Sequence, residues 1–157
     1  MKLNKKGFTL IEMLAVVVIL AILMAIMIPS VNHLIKQNQE NNFKSLKNGI
    51  LNSAKTYVSD FRYEITVANL PCASKSEIKN VLSINGDSLT DGQVSLKTLI
   101  EKKYLKAPNG MVKNPLADGN LDVSRIFVKI QYSCKKKDYL YSINDTSSSG
   151  LNWNGGN

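Results

Sequence analysis

Glu12 is an acid at the head of an apolar stretch, and from Met13 to Ile28 sixteen consecutive residues carry no charge. A charged side chain at the centre of a bilayer helix costs about 2.5 to 3.5 kcal/mol, less near an interface. On physics alone Glu12 reads as a glutamate near the interface that reaches outward to water. Just upstream lies the Gly7-Phe8 bond, preceded by Lys2, Lys5 and Lys6. Cys72 and Cys134 are the two cysteines and His33 is the one histidine. With no CxxC or Cys/His spacing, no structural zinc and no metal ligand set is expected. In an oxidising compartment the cysteines either stay reduced or close a loop of about 60 residues, worth up to a few kcal/mol. Lys135, Lys136 and Lys137 stand among Tyr132, Tyr139 and Tyr141. They read as a solvated hairpin turn or as a basic aromatic patch for the phosphates of a nucleic acid.

No set of catalytic residues stands out. His33 has no nearby cysteine or second histidine, and neither GxSxG nor GxxxxGK[ST] is present. Asp118 and Asp122 flank Gly119 without the spacing of a calcium loop. Neither an enzyme nor a cofactor is expected.

The elements around Glu12 narrow its role. A secretory signal has an apolar stretch of about 7 to 15 residues and small residues at its cut. Here the stretch is longer, and the best exit, around Leu23 to Ala25, puts leucine where a small residue belongs. A membrane anchor fits better: Phe8 to Val31 is about 24 residues, or about 36 Å as a helix, against roughly 30 Å of hydrocarbon. The positive-inside rule then places the leader lysines in the cytoplasm and the rest outside, as a single-pass protein. Net charge falls from +8 to +5 when those three lysines are removed.

Gly7-Phe8-Thr9-Leu10-Ile11-Glu12, after a short basic leader and before a long apolar helix with Pro29 near its end, resembles the prepilin cleavage and methylation motif of type IV pilins and type II secretion pseudopilins. The resemblance covers about 30 of the 157 residues. It implies cleavage after Gly7 by a prepilin peptidase, which also methylates the new amine of Phe8. It further implies docking at an inner-membrane assembly platform, and polymerisation with copies of itself or other pilins into a helical filament. In that filament the Phe8 amine would meet a neighbour's Glu12. Glu12 then sets register, because a subunit out of step buries two unpaired charges. Pro29 either ends the apolar helix or accompanies a bend in a longer one. Where many family members have a glycine midway along the segment, this chain has Ala21, so softening there would depend on Pro29.

Beyond Asn32 a helical pattern continues, with Phe43, Leu46, Ile50, Ala54, Tyr57, Val58 and Phe61 at three- and four-residue steps. Ser74-Lys75-Ser76-Glu77 reads as a capping box that opens a helix over Ile78, Val81 and Leu82, closed by Asn85-Gly86-Asp87. Ser95 starts another helix with Leu96, Leu99, Ile100 and Tyr104 inward. Ile126 to Tyr132 alternates as a strand and Tyr139 to Ile143 is a second. A third strand is placed at Leu121–Val123 or Met111–Val112. The tail from Thr146 reads as loose, with Trp153 able to dock.

The expected fold is α+β and pilin-like, a long N-terminal helix packed on a small antiparallel sheet. The expected divisions are a cleaved leader 1–7, a transmembrane and filament-core segment 8–31, a helical extension 32–61, a globular head 62–145 and a polar tail 146–157. A surface filament or pseudopilus serving adhesion, motility, DNA uptake or secretion follows. The alternatives are a membrane-anchored binding protein that contacts DNA, and an anchored structural protein that never polymerises.

Overall fold

The computed structural model describes residues 7–147 and 151–153, with the backbone alone at 26–30. The leader lysines lie outside the described residues. The chain divides into two compact units, Met1–Asn41 and Asn42–Asn157.

Helix α1, Leu10–Asp60, begins in the first unit and ends in the second. It does not stop at Pro29, although proline there leaves the carbonyl four residues back without its usual partner. Among the described residues of the first unit none is buried. Its large apolar residues from Leu10 to Met24 are 47–85% exposed. In the second unit a stripe is covered: Ile50 and Ala54 are 0% exposed, Tyr57 1% and Val58 2%. Those four recur at helical spacing and form one face.

That face packs with a six-stranded antiparallel sheet in one core. The strands are β1 Ile65–Val67, β2 Ile78–Ile84, β3 Asp87–Ser88, β4 Gln93–Ser95, β5 Ile126–Ser133 and β6 Asp138–Asp145. β5 is central. β6 runs along its whole length, from Ile126↔Asp145 to Ser133↔Asp138. The other edge of β5 is shared: β4 pairs with Phe127–Lys129 and β2 with Gln131–Ser133. Ile126, Val128 and Ile130 alternate inward at 0% exposure, as a half-buried strand requires. Helix α2, Leu96–Glu101, is capped by the Ser95 hydroxyl, which accepts from the Thr98 N–H at 3.1 Å. It buries Leu96 and Leu99 completely, each worth about 1.5–3 kcal/mol relative to exposure.

Four expectations are corrected. Residues 78–84 are strand β2, not a helix. Glu77 does not complete a box with Ser74; its carboxylate accepts from the Ala73 N–H at 3.0 Å and pairs with Lys79 at 3.2 Å. The strand wins because it buries Val81 and Ile84 while completing the ladders of β1 and β5. Asn85-Gly86 closes a hairpin rather than a helix. Both residues have positive φ, 52° and 77°, between the pairs Ser83↔Ser88 and Ile84↔Asp87, as a type I′ turn demands. The segments around Val112 and Leu121 make only an isolated bridge, Lys113↔Asn120, because Pro115 and the turn at Gly119 interrupt any longer ladder. The tail is anchored at Leu151 and Trp153, which are 9% and 5% exposed. Trp153 packs on Phe43 with ring centroids 5.2 Å apart and donates from Nε1 to Asp145 at 2.8 Å. The rest of the tail, 148–150 and 154–157, lies outside the described residues.

The single-pass membrane placement is also corrected. Among the described residues no helix is long and apolar enough to cross a membrane. The 8–31 span counted Thr9, Glu12, Pro29 and Ser30. Without them the apolar run of sixteen residues rises only about 24 Å, short of the roughly 30 Å of a hydrocarbon layer.

Candidate functional site

Gly7, Phe8 and Thr9 precede the first turn of α1 and are not helical. Gly7 has open space where a side chain would stand, and Phe8 is 81% exposed. The Gly7–Phe8 bond therefore lies in accessible, non-helical backbone, the form in which a peptide bond is open to attack.

Thr9 and Glu12 cap the helix together. Thr9 N–H donates to Glu12 Oε2 at 2.7 Å and the Thr9 hydroxyl to the same oxygen at 2.9 Å. The Glu12 N–H donates back to Thr9 Oγ1 at 3.3 Å. This is a reciprocal capping box, with negative charge at the positive end of the helix dipole. The Thr9 backbone bond, then its hydroxyl bond, hold the Glu12 carboxyl below its ordinary range. Both bonds use Oε2, so among the described residues Oε1 remains open to another donor. Sequence reasoning gave Glu12 a partner in a neighbour and missed the one in its own chain. The signal was present as Thr9-x-x-Glu12 directly before an apolar run.

The apolar surface behind Glu12 is continuous. Val16, Val17, Leu20, Leu23 and Met24 are all at least 47% exposed. Such a surface exceeds what an unassociated protein displays to water. Position 29 lies within α1, and the side chain of Pro29 is outside the described residues.

The remaining residues singled out from sequence lie in the second unit. Cys72 and Cys134 are joined by a disulfide with Cα atoms 6.1 Å apart, across a separation of 62 residues. It ties the loop between β1 and β2 to the end of β5, where the Cys134 N–H also donates to the Glu77 carbonyl at 3.0 Å. Lys135, Lys136 and Lys137 form the exposed turn from β5 to β6, closed by Lys137 N–H donating to Ser133 O at 2.8 Å. None of the three has an ion pair among the described residues. Beside the turn, Lys55 and Arg62 share a small cleft with Tyr139 and Tyr141. Burial pushes the Tyr141 hydroxyl up to about 12, so it stays a neutral donor at physiological pH. Tyr132 and Tyr139 meet edge to face at 5.6 Å and are partly spent on each other. His33 is exposed on α1. Among the described residues no group of three His, Cys, Asp or Glu side chains is placed to hold a metal ion.

Residues 2–28 match the family model described as the prokaryotic N-terminal methylation motif. The chain thus carries a prepilin-type methylation motif, diagnostic of type IV pilins and pseudopilins. The long N-terminal helix packed on a small antiparallel sheet matches a pilin-like architecture. The motif implies a processing peptidase and methylase as a partner. No curated protein and no solved structure matches the chain.

Proposed function

We propose that this protein is a filament subunit, a pilin or pseudopilin. It is cut between Gly7 and Phe8, methylated on the new amine and polymerised through the apolar part of α1. The observation that carries this reading is the exposed apolar length of α1 with a single acid at its start. Association is the route to cover for such a surface, and helices of many copies bundled together supply it. Glu12 then acts as the register device. Its Oε2 stays with Thr9 while Oε1 receives the methylated Phe8 amine of a neighbour. Inside an apolar bundle a displaced subunit leaves both charges buried and unpaired, which is far costlier than a lost surface pair. An assembly platform and copies of this chain or other pilins are the partners this reading requires.

The test is co-expression with a prepilin peptidase, followed by intact mass measurement and electron microscopy of shed material. Expected are loss of Met1 to Gly7, one methyl group on Phe8, and filaments that disappear with the gene. An uncut chain, or one cut after Ala25, rejects the reading.

A second reading concerns the head. Lys135 to Lys137, exposed and without an ion pair among the described residues, favour contact with the phosphates of a nucleic acid, while the cleft of Lys55 and Arg62 at the start of β6 also holds Asp138. Binding should weaken steeply with salt and be lost when the three lysines become glutamines. Salt-insensitive binding, or none, removes this reading.

A further inference from the structure

The head has a concave pocket of about 560 Å³ where α1, α2 and the segment from β3 to β4 meet. That volume is within the range of small-ligand sites, roughly 300 to 1,000 Å³. One wall is neutralised in place. Lys102 pairs with Asp87 at 2.7 Å and lies 5.8 Å from the centre of the Tyr57 ring. Thr90 and Asp91, from the turn Thr90-Asp91-Gly92, also line the pocket. Asp91 has φ 53° and Gly92 φ 69°. A Cβ on Gly92 would come within 2.7 Å of the Ile130 carbonyl, so this backbone is seated directly on β5. The backbone of the turn is therefore held by the core.

Two polar side chains here are not used by the fold. Among the described residues neither the Asp91 carboxylate nor the Gln93 amide has an intramolecular hydrogen bond or ion pair, and both line the pocket. Phe127, half-buried on the face of β5 opposite the core, lines it as well. An aromatic surface bordered by a carboxylate, an amide and the Thr90 hydroxyl matches a ligand with one apolar face and a rim of hydroxyl groups. Asp87 is balanced by Lys102 while Asp91 is not, so the pocket carries one uncompensated negative charge.

We propose that this pocket is a saccharide-binding site selective for neutral or amino sugars, with Asp91 and Gln93 accepting and donating to ring hydroxyls and Phe127 beneath the ring. Acidic sugars are excluded by Asp91, since a like charge without a counter-ion penalises the wrong ligand. The site lies wholly within the second unit and stands or falls independently of filament assembly.

Saturation-transfer NMR on the full chain in a sugar-free detergent tests it, with the N-acetylglucosamine trimer, the glucosamine trimer and 3′-sialyllactose as probes. The two trimers should receive saturation and sialyllactose should not. Asp91→Asn should weaken the glucosamine trimer about tenfold, the scale of losing one charged hydrogen bond. Gln93→Ala should weaken both trimers several-fold. Emission from Trp153, the sole tryptophan, checks that the variants remain folded. The proposal is overturned if neither trimer binds, if sialyllactose binds best, or if Asp91→Asn and Gln93→Ala together leave binding unchanged in a folded protein.

Discussion

Leu20 and Leu99 are the same side chain on helices of the same protein, yet Leu20 is 47% exposed and Leu99 0%. Around Leu20 every neighbour is apolar as well, and none of it is covered within the first unit. Around Leu99 a polar helix face alternates with a buried one, and a sheet receives the latter. Hydrophobic content thus says how much cover a segment needs, and periodicity says whether the chain supplies it. A striped helix is built for a core in its own chain. A helix apolar on all sides is built for surroundings that come from outside it.

The contrast is broken most directly by truncation. Leu99→Ala should destabilise the second unit by about 2–5 kcal/mol, the cost of lost transfer energy plus a cavity. Leu20→Ala should leave that stability within about 0.5 kcal/mol while lowering filament yield. Chemical denaturation of both variants in detergent checks this, and equal shifts would erase the distinction.

Removing the disulfide acts on the head alone. Changing Cys72 and Cys134 together to serine should cost about 3 kcal/mol, read as a lower denaturation midpoint. Glu12→Gln separates two roles held by one residue. Glutamine keeps a capping acceptor but loses the charge at the positive end of the helix, so the first turn should loosen slightly while the denaturation midpoint of the second unit stays as it is. Without the charge, assembly should fail. Normal filaments from Glu12→Gln would leave the carboxylate with a capping role alone.

Thr9→Ala should have a smaller and local effect. Helix caps of this kind are worth about 1 kcal/mol, so amide exchange should quicken at Leu10 to Met13 and nowhere in the head. The smallest effect is that of pH. The Glu12 carboxyl is held below its ordinary value of 4.5, so its contribution is present above that value. It is lost as pH falls through the lower value in the folded protein. Protection of the Glu12 and Met13 amides, relative to the unstructured rate at each pH, should therefore hold down to about 4.5 and fall only in stronger acid.

Three capping signals in this chain show how far local pattern reaches. Thr9-x-x-Glu12 and Ser95 both cap helices, and both precede segments with no competing partner at hand. Ser74-x-x-Glu77 has the same letters and precedes a strand. There the free edge of β5 at Gln131–Ser133 and the short β1 were available to pair, and their ladders outweighed a helical start. Asn85-Gly86 was the correcting evidence within the sequence, since that pair marks a two-residue hairpin more strongly than a helix end. Trp153 shows the same limit. Its polar surroundings in sequence indicate a loose tail in which Trp153 is able to dock, and only the fold supplies the partner, Phe43, 110 positions earlier in the numbering.

By itself the sequence determined the motif at Gly7 to Glu12, the apolar run behind it, the striped half of α1 and the hairpin of β5 and β6. Each of these depends on neighbours within a few residues, so the order of side chains is enough to specify it. Tertiary structure alone decided β2 and its three partners, the disulfide across 62 residues, the seating of Trp153 and the pocket beside Asp91. These join groups far apart along the chain, and which groups meet depends on the whole core being packed at once.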